Sequence, residues 1–459
     1  MKIATKTTTA VSLVQAALDK ARKYQKTHNI FTWINDNALE QAKAIDAKIA
    51  RGENPGRLAG VPYALKDNYL SRQGETTASA KILTGLQAPL DATCVKKLED
   101  EGAILIGRTN LDAFAHGSST ENSYFGATKN SKDTARVAGG SSGGSAVAVA
   151  LDIVEFATGS DTGGSIRQPA SFNGVFGIKP TYGAISRYGV VAMASSTDVL
   201  GFFAKSASDL DLLMSITAGQ DPKDQTSLPD FYGTKDVALN KKRLGVVKEF
   251  IDSPALDKNI KTALEEKLTL AKSKGYQIVE LSLPTLEYAL AVYYIIQPAE
   301  VASNLSRYDG IRYAFRSPNG KDIASVFSET RSEGFMRENK RRIMIGNFVL
   351  SSGFYDAYFL KAAKARTLII NEFNKAFGQV DAILTPVSPN PAFKLGEKVD
   401  DPVSMYLEDV MSVPVNLAGI PAVAFPAGQN PAGLDLGLQL LGPRRSDKSL
   451  LDIVEELAC

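Results

Sequence analysis

The hydrophobic and polar positions of this chain follow two recurring patterns, which predict strands and helices in alternation. Short apolar runs bounded by glycine, proline or polar residues are typical of buried strands. Such runs occur in "GVPYALKDNYL", "AILIGRTNLDAF", "LGVVKEF", "YQIVELSLP", "VDAILTPVSP", "IPAVAFPAG" and "LGLQLLGP". Apolar residues at helical spacing predict helices over 8–50, 206–218, 257–275 and 447–458, and one or two long helices over 338–377.

Two further segments combine both patterns. In "GGSAVAVALDIVEFATGS" we predict a helix that begins with small residues, followed by a buried strand that Gly159 ends. Residues 174–193 are predicted to form short strands with glycine turns. The alternation predicts an α/β fold with a largely buried sheet. Because no shift in composition marks a boundary, we expect one domain over 1–459, with residues 1–55 as a helical segment packed on it.

The amino-acid composition excludes several classes of protein. With 44% hydrophobic and 22% charged residues over 459 positions, the chain is typical of a soluble globular protein with a large core. The net charge of +2 argues against binding a polyanion unaided. Two cysteines, Cys94 and Cys459, and two histidines lie apart, so we expect neither a disulfide framework nor a metal site. We expect no export signal and no membrane span, hence a cytoplasmic protein.

Two serine-rich clusters stand out, "GGSSGGS" near residue 141 and "DTGGSIR" near residue 165. A serine that acts as a nucleophile usually has a histidine base, yet neither histidine lies in this stretch. A phosphate-binding loop of the Walker type requires lysine followed by serine or threonine, whereas Ala146 follows the second "GGS". The residues alone therefore leave two interpretations open, flexible loops or an unusual form of serine catalysis.

The motif "GGSSGGSAVAVALDIVEFATGSDTGGSIRQPA" resembles the signature of the amidase signature family, and "GVPYALKDN" resembles that family's upstream lysine segment. The resemblance implies the amidase signature fold, in which a central mixed β-sheet lies between helices. It also implies Ser–Ser–Lys catalysis without histidine. By this resemblance Ser165 is the nucleophile, Ser141 is the bridging serine and Lys66 is the base.

Physical chemistry fits these implied roles. A lysine acts as a base only when it is neutral, which requires burial, and Lys66 ends the apolar run "VPYAL". The family also places a cis peptide at the bridging serine. Backbone N–H groups of the turn formed by Thr162, Gly163, Gly164 and Ser165 are candidates for an oxyanion hole, since glycines let the backbone approach a substrate closely.

Several other segments resemble a glutamine-hydrolysing branch of this family, among them "GSSTENSYFGATKN", "YYIIQPAEVASNLSRYDGIRYAFRS" and "VPVNLAGIPAVAFP". The resemblance implies a glutaminase within a heterotrimer, which delivers ammonia to a partner subunit that amidates a misacylated tRNA. ATP and Mg²⁺ are expected in the partner, and no cofactor is expected in this chain. Glutamine carries two opposite charges, and by resemblance Arg342 holds its carboxylate, Asp409 holds its amino group and Tyr293 forms a pocket wall.

Alternatives remain at this point. A stand-alone amidase acting on a small aryl or aliphatic amide would share the catalytic residues, and a non-catalytic scaffold subunit would share the fold. Arg342 lies in the basic run 340–342, where a solvated helix face is the usual interpretation. Two positions also depart from the family pattern "DEFAMGSS": Ala113 and His116 stand here instead of glutamate and methionine. We expect His116 near the glutamine entrance, in a structural role.

Overall fold

A computed structural model describes residues 1–229 and 231–458, so Cys459 lies outside the described residues. In this part of the chain eleven strands form one mixed sheet. The strands are β1 (Phe31–Ile34), β2 (Pro62–Lys66), β3 (Ile104–Thr109), β4 (Phe156–Asp161), β5 (Phe176–Lys179), β6 (Val199–Ala204), β7 (Arg243–Val247), β8 (Gln277–Leu281), β9 (Ala382–Pro386), β10 (Ala422–Gln429) and β11 (Asp435–Leu441).

The helices surround this sheet. They are α1 (Ala10–His28), α2 (Ala38–Ala50), α3 (Thr93–Asp100), α4 (Gly143–Ala150), α5 (Arg167–Phe172), α6 (Ala207–Thr217), α7 (Lys248–Ile251), α8 (Lys258–Ser273), α9 (Ala289–Asn304), α10 (Ile323–Gly334), α11 (Arg337–Leu350), α12 (Lys361–Phe377), α13 (Pro402–Leu407), α14 (Val413–Ala418) and α15 (Asp447–Ala458). None of the helices in the described ranges combines the length and apolar character needed to cross a membrane.

The strands lie in the order β1-β3-β2-β4-β6-β5-β10-β11-β9-β7-β8, with parallel and antiparallel pairs. Alternate side chains of one strand enter different hydrophobic clusters, as the two-residue period of a strand requires. Phe202 packs in a cluster with residues of α6, α8 and α15, whereas its neighbour Phe203 packs in a cluster with α1, α2 and α4. The sheet is thus covered on both faces, which confirms the predicted mixed sheet between helices.

The predicted strands and long helices agree with the structure except over 180–193, where turns and isolated bridges stand in place of the predicted short strands. Three further differences concern β1, β6 and Gly159. The segment predicted as helical over 8–50 contains β1, which pairs antiparallel with β3, so the N-terminal segment supplies an edge strand. Strand β6 is an addition to the predicted elements, and it pairs with both β4 and β5. Gly159 lies within β4 and does not end it, since it pairs with Gly201 of β6. A glycine stands there because a Cβ would lie 2.7 Å from the Phe203 ring.

The topology brings the two sequence motifs together at one edge. Strands β2 and β4 run parallel as neighbours, with Tyr63 opposite Phe156. Their carboxyl ends therefore lie side by side, β2 ending at Lys66 and β4 at Asp161, immediately before the turn that contains Ser165. Helix α4 begins beside them at Gly143, directly after the other serine cluster. This edge of the sheet is where ligands usually bind in α/β folds.

Candidate active site

The side chain of Lys66 is fully buried and lies in a shell of hydroxyl groups. Its Nζ atom lies 2.8 Å from Ser141 Oγ, 2.7 Å from Ser142 Oγ and 2.9 Å from Ser160 Oγ. Burial lowers the pKa of Lys66 to about 7, although the nearby carboxylates oppose this shift. An amine with a pKa in this range is available as a neutral base near physiological pH.

The two serine clusters meet around this amine. The Gly140–Ser141 peptide is cis, as the family resemblance implied. The backbone N–H of Ser142 donates to the carbonyl of Ser165 at 3.2 Å, which holds the two motifs in contact. Ser165 is 8% exposed, whereas Lys66 and Ser141 are inaccessible. The Ser165 hydroxyl forms no hydrogen bond within residues 1–229 and 231–458. Of Lys66, Ser141 and Ser165, therefore, Ser165 is the residue that an incoming molecule can reach.

The turn before Ser165 offers unpaired backbone donors. Among the described residues, the N–H groups of Gly163, Gly164 and Ser165 form no hydrogen bond, whereas the N–H of Ile166 donates to Asp161 Oδ2 at 3.1 Å. Thr162 is fixed by its side chain, which donates to Asp198 Oδ1 at 2.7 Å. Free N–H groups that converge beside a nucleophile are the usual donors of an oxyanion hole.

Both glycines of the turn are required by close packing. A Cβ on Gly163 would lie 2.8 Å from the phenol oxygen of Tyr293, which places that ring against the turn. Gly164 has φ +147°, and a Cβ there would lie 2.3 Å from Ser412 Oγ. The Ser412 hydroxyl in turn donates to the carbonyl of Gly163 at 2.6 Å. The turn therefore owes its position to the segment that also carries Asp409.

A buried ion pair braces the nucleophile turn from behind. Arg167 donates to both oxygens of Asp161, each at 3.0 Å, and also to the carbonyl of Ser412 and the side chain of Gln439. Burial alone would raise the pKa of Asp161, but the Arg167 charge and hydrogen bonds lower it to about 2. The pair is thus charged and internally satisfied, and it serves to position the loop.

Arg342 is buried, contrary to the usual behaviour of a basic run. It is 3% exposed, and its Nε donates to Glu338 Oε1 at 2.9 Å, one helical turn earlier on α11. Its guanidinium carbon lies 5.3 Å from the centre of the Tyr294 ring and 5.6 Å from that of Tyr406. In the described part of the chain its Nη groups form no hydrogen bond, so the terminal fork of the guanidinium is available to an anion.

Asp409 is buried close to the nucleophile turn. Its Oδ2 atom accepts from the Ser118 hydroxyl at 2.7 Å, and its Oδ1 atom lies 3.7 Å from where a Cβ of Gly164 would stand. Burial raises the pKa of Asp409 to about 7, an effect that Ser118 and Arg342 partly counteract. No salt bridge joins Asp409 to Arg342 within the described residues, so the Nη groups of Arg342 and the Oδ1 atom of Asp409 are available to a bound molecule.

Several neighbours of these groups go beyond what the sequence predicts. Ser142 and Ser160 contact Lys66 as closely as Ser141 does. Glu338 accepts from Arg342 and from the Tyr406 hydroxyl, and Ser118 donates to Asp409. The helical spacing of Glu338 and Arg342, four residues apart, is the one signal in the sequence that could have indicated such a pair. The other contacts depend on long-range packing.

Comparison with known proteins gives concordant results. A sequence profile of the Amidase family matches residues 12–451. The A subunit of the glutamyl-tRNA(Gln) amidotransferase of Carboxydothermus hydrogenoformans is 49% identical over 458 residues, which cover 98% of this chain and 94% of that relative. A crystal structure of the corresponding A subunit of Thermotoga maritima is similar with a TM-score of 0.80 at 39% identity, covering 96% of this chain and 90% of that one.

The same fold occurs in proteins described simply as amidases. One such crystal structure is similar with a TM-score of 0.83 at 30% identity, and it covers 98% of this chain and 96% of the other. The chain therefore belongs to the amidase signature family, as its serine and lysine motifs predicted.

Proposed function

We propose that this chain is the glutamine-hydrolysing subunit of a tRNA-dependent amidotransferase. It would release ammonia from the side-chain amide of glutamine for a partner subunit that converts Glu-tRNA(Gln) to Gln-tRNA(Gln). The main observation behind this proposal is that a buried lysine–serine network lies near two opposite charges, Arg342 and Asp409. These two residues form no salt bridge with each other in the described part of the chain. The relatives named as the A subunit of such an enzyme, which match nearly the whole chain, support the proposal.

The hydrogen bonds suggest how the proton moves. A neutral amine has two N–H groups and one lone pair, so it must accept from one of its neighbours. The Ser142 hydroxyl donates to the carbonyl of Ser160 at 3.3 Å, whereas Lys66 is the single partner of the Ser141 hydroxyl in the described residues. Ser141 is thus free to donate to Lys66, and this supports Ser141 rather than Ser142 as the proton relay.

The chemistry follows from this arrangement. Ser165 Oγ attacks the amide carbon of glutamine while its proton passes through Ser141 to neutral Lys66. The backbone N–H groups of Gly163, Gly164 and Ser165 hold the negative oxygen that forms. The proton then returns to the leaving nitrogen, ammonia departs, and a glutamyl ester remains on Ser165. Water, deprotonated by the same route, hydrolyses the ester and releases glutamate.

The two charged ends of glutamine fit Arg342 and Asp409, each of which keeps polar atoms without a partner in the described residues. The α-carboxylate of glutamine would pair with the Nη groups of Arg342, and its α-ammonium with Asp409, while Tyr293 closes the side of the pocket next to Gly163. A simple aryl or aliphatic amide would leave the Nη groups of Arg342 and the Oδ1 atom of Asp409 without a hydrogen-bond partner in the described residues, which disfavours the stand-alone amidase. The intact lysine–serine network disfavours a non-catalytic scaffold.

The proposal includes the partners. We expect the B and C subunits of the amidotransferase to assemble with this chain in the cytoplasm, with ATP and Mg²⁺ bound in the partner and tRNA held mainly there. The near-neutral net charge of +2 is consistent with this division. We place the whole chain in a single catalytic domain without a cofactor of its own.

Replacing the nucleophile tests this function. In the assembled complex, Ser165→Ala should abolish glutamine hydrolysis, while transamidation with added ammonium continues, because only the source of ammonia is lost. Ammonia release and Gln-tRNA(Gln) formation are measured in parallel. Loss of both activities in an assembled complex, or retention of glutamine hydrolysis, would contradict the proposal.

A further inference from the structure

The wall of the cavity beside Arg342 carries a buried donor that has no partner. His116 is fully buried and lines this cavity together with Ser118, Arg342 and Tyr406. Its Nε2 atom forms no hydrogen bond within residues 1–229 and 231–458. A buried polar atom without a partner is rare in folded proteins and calls for an explanation.

The protonation of His116 follows from its neighbour Asn339. The Asn339 amide is oriented by two backbone contacts: its Nδ2 donates to the carbonyl of Ala113 at 2.8 Å, and its Oδ1 accepts from the N–H of Met336 at 3.1 Å. The second N–H of this amide points at His116 Nδ1, 2.7 Å away. That ring nitrogen must therefore accept, and in the neutral ring the proton lies on Nε2.

The surroundings keep the ring neutral. Burial lowers the pKa of His116 well below its usual value, and the charge of Arg342 lowers it further. The unpartnered Nε2–H is thus a neutral donor. Asn339 and Arg342 are both buried on the same helix, α11, and lie three residues apart, so the helix that fixes the tautomer of His116 also carries the guanidinium.

We propose that His116 binds the substrate, donating its Nε2–H to the α-carboxylate that Arg342 holds. This inference rests on the proposed function and assigns to His116 a binding role in place of the structural one expected from the sequence. An acceptor is required because Nε2 carries the proton. A carboxylate fits because its two oxygens can accept from the guanidinium fork and from a second donor at the same time.

A comparison of two substrates tests the role of His116. 4-Aminobutanamide is glutamine without its α-carboxylate. In the reconstituted complex, His116→Met should lower kcat/KM for glutamine about tenfold or more, mainly through KM, because a hydrogen bond to a charged group is lost. Turnover of 4-aminobutanamide should not change. His116→Gln, which keeps an N–H donor, should recover part of the loss, and His28→Gln, at the other histidine, should have no effect.

Each outcome separates the two proposals. Equal losses with both substrates would indicate a structural role and overturn the inference, as would unchanged glutamine kinetics. A wild-type complex that hydrolyses no glutamine would overturn the proposed function, and this inference with it. Glutamine hydrolysis in the wild type together with either of the first two results would overturn the inference on His116 alone.

Discussion

Two strands of the sheet each end in a fully buried lysine. Of these two lysines, one is surrounded by hydroxyl groups and the other is not. Strand β2 ends at Lys66 and β5 ends at Lys179. Burial lowers the pKa of both amines to about 7. Lys66 contacts three serine hydroxyls, whereas Lys179 donates to the carbonyl of Pro180 at 3.0 Å.

The comparison shows that a lowered pKa does not by itself make a lysine a catalytic base. Lys179 is surrounded by the charges of Arg167, Asp161 and Asp447, and among the described residues no hydroxyl links its amine to a nucleophile. Lys66 has a hydroxyl neighbour, Ser141, which forms no other side-chain hydrogen bond within residues 1–229 and 231–458. A perturbed pKa identifies a functional residue only when geometry supplies a path for the proton.

The largest expected effect is the loss of activity when Lys66 is replaced. Lys66→Ala should lower kcat for glutamine hydrolysis by about 10²–10⁴-fold, the usual contribution of a general base. Lys66→Arg should be almost as damaging, since a guanidinium stays protonated. Steady-state ammonia release from the assembled complex measures both. Substantial activity in Lys66→Arg would show that this residue does not abstract a proton.

The two serines beside Lys66 sharpen the comparison. Ser141→Ala removes the proposed relay and should approach the loss seen with Lys66→Ala. Ser142→Ala removes a group whose proton is already donated to Ser160, and should cost about tenfold or less. Kinetics of the two variants, at equal thermal stability, provide the check. The reverse order would transfer the relay to Ser142.

The substrate charges give an effect of intermediate size. Removing one partner of a buried charged hydrogen bond typically costs about 2–5 kcal/mol. Asp409→Asn should therefore lower kcat/KM for glutamine by at least roughly thirtyfold. Glutaramate, which lacks the amino group, should be hydrolysed equally well by the wild type and the variant. A pocket built for simple amides would instead hydrolyse propionamide as well as glutamine.

Acid pH should act on two groups at once. The proposed mechanism requires neutral Lys66 and ionised Asp409, and each has a pKa of about 7. Below that pH both become protonated, so kcat/KM should fall by up to about a hundredfold per pH unit. In Asp409→Asn the fall should be about tenfold per unit, because one titrating group is gone. An identical slope in the two proteins would exclude Asp409 from the titration.

The smallest effect on activity is expected at Lys179. Lys179→Met should leave glutamine hydrolysis within about threefold, since no relay depends on it. Between pH 7 and 10.5 the unfolded chain binds the Lys179 proton and the folded chain does not, so stability rises with pH. In the variant this group is absent, so the free energy of unfolding should rise less steeply with pH, by about 1.4 kcal/mol per pH unit. Denaturant titrations at several pH values measure it.

Local patterns predict most of the fold, and long-range pairing accounts for the rest. The buried strands β2, β3 and β9 are evident as apolar runs, but β1 has only four residues between two helices, and the local pattern there predicts helix. Its strand form depends on pairing with β3, which residues 31–34 do not encode locally. The prediction that Gly159 ends a strand is wrong because its packing against Phe203 involves β6, a strand absent from the predicted elements.

The residues of the candidate site also divide into those that the sequence predicts and those that depend on long-range packing. The proposed roles of Lys66, Ser141 and Ser165 come from the family resemblance of the motif, and the structure brings these residues together at one edge of the sheet. The burial of Arg342 is not evident in a run of three basic residues, because it depends on Glu338 and on the rings of Tyr294 and Tyr406. The free Nε2–H of His116 depends on Asn339, which lies 223 positions further along the chain.

Direct titration of Lys66 tests the central claim, that its amine is neutral when the enzyme works. NMR of lysine labelled with ¹³C at Cε follows each amine, and Lys66→Met and Lys179→Met assign the two buried signals. We predict that the Lys66 signal titrates with a midpoint of about 7 in the Ser165→Ala protein. A Lys66 amine that stays protonated above about pH 9 would contradict the account, because a charged ammonium cannot accept the proton of Ser141.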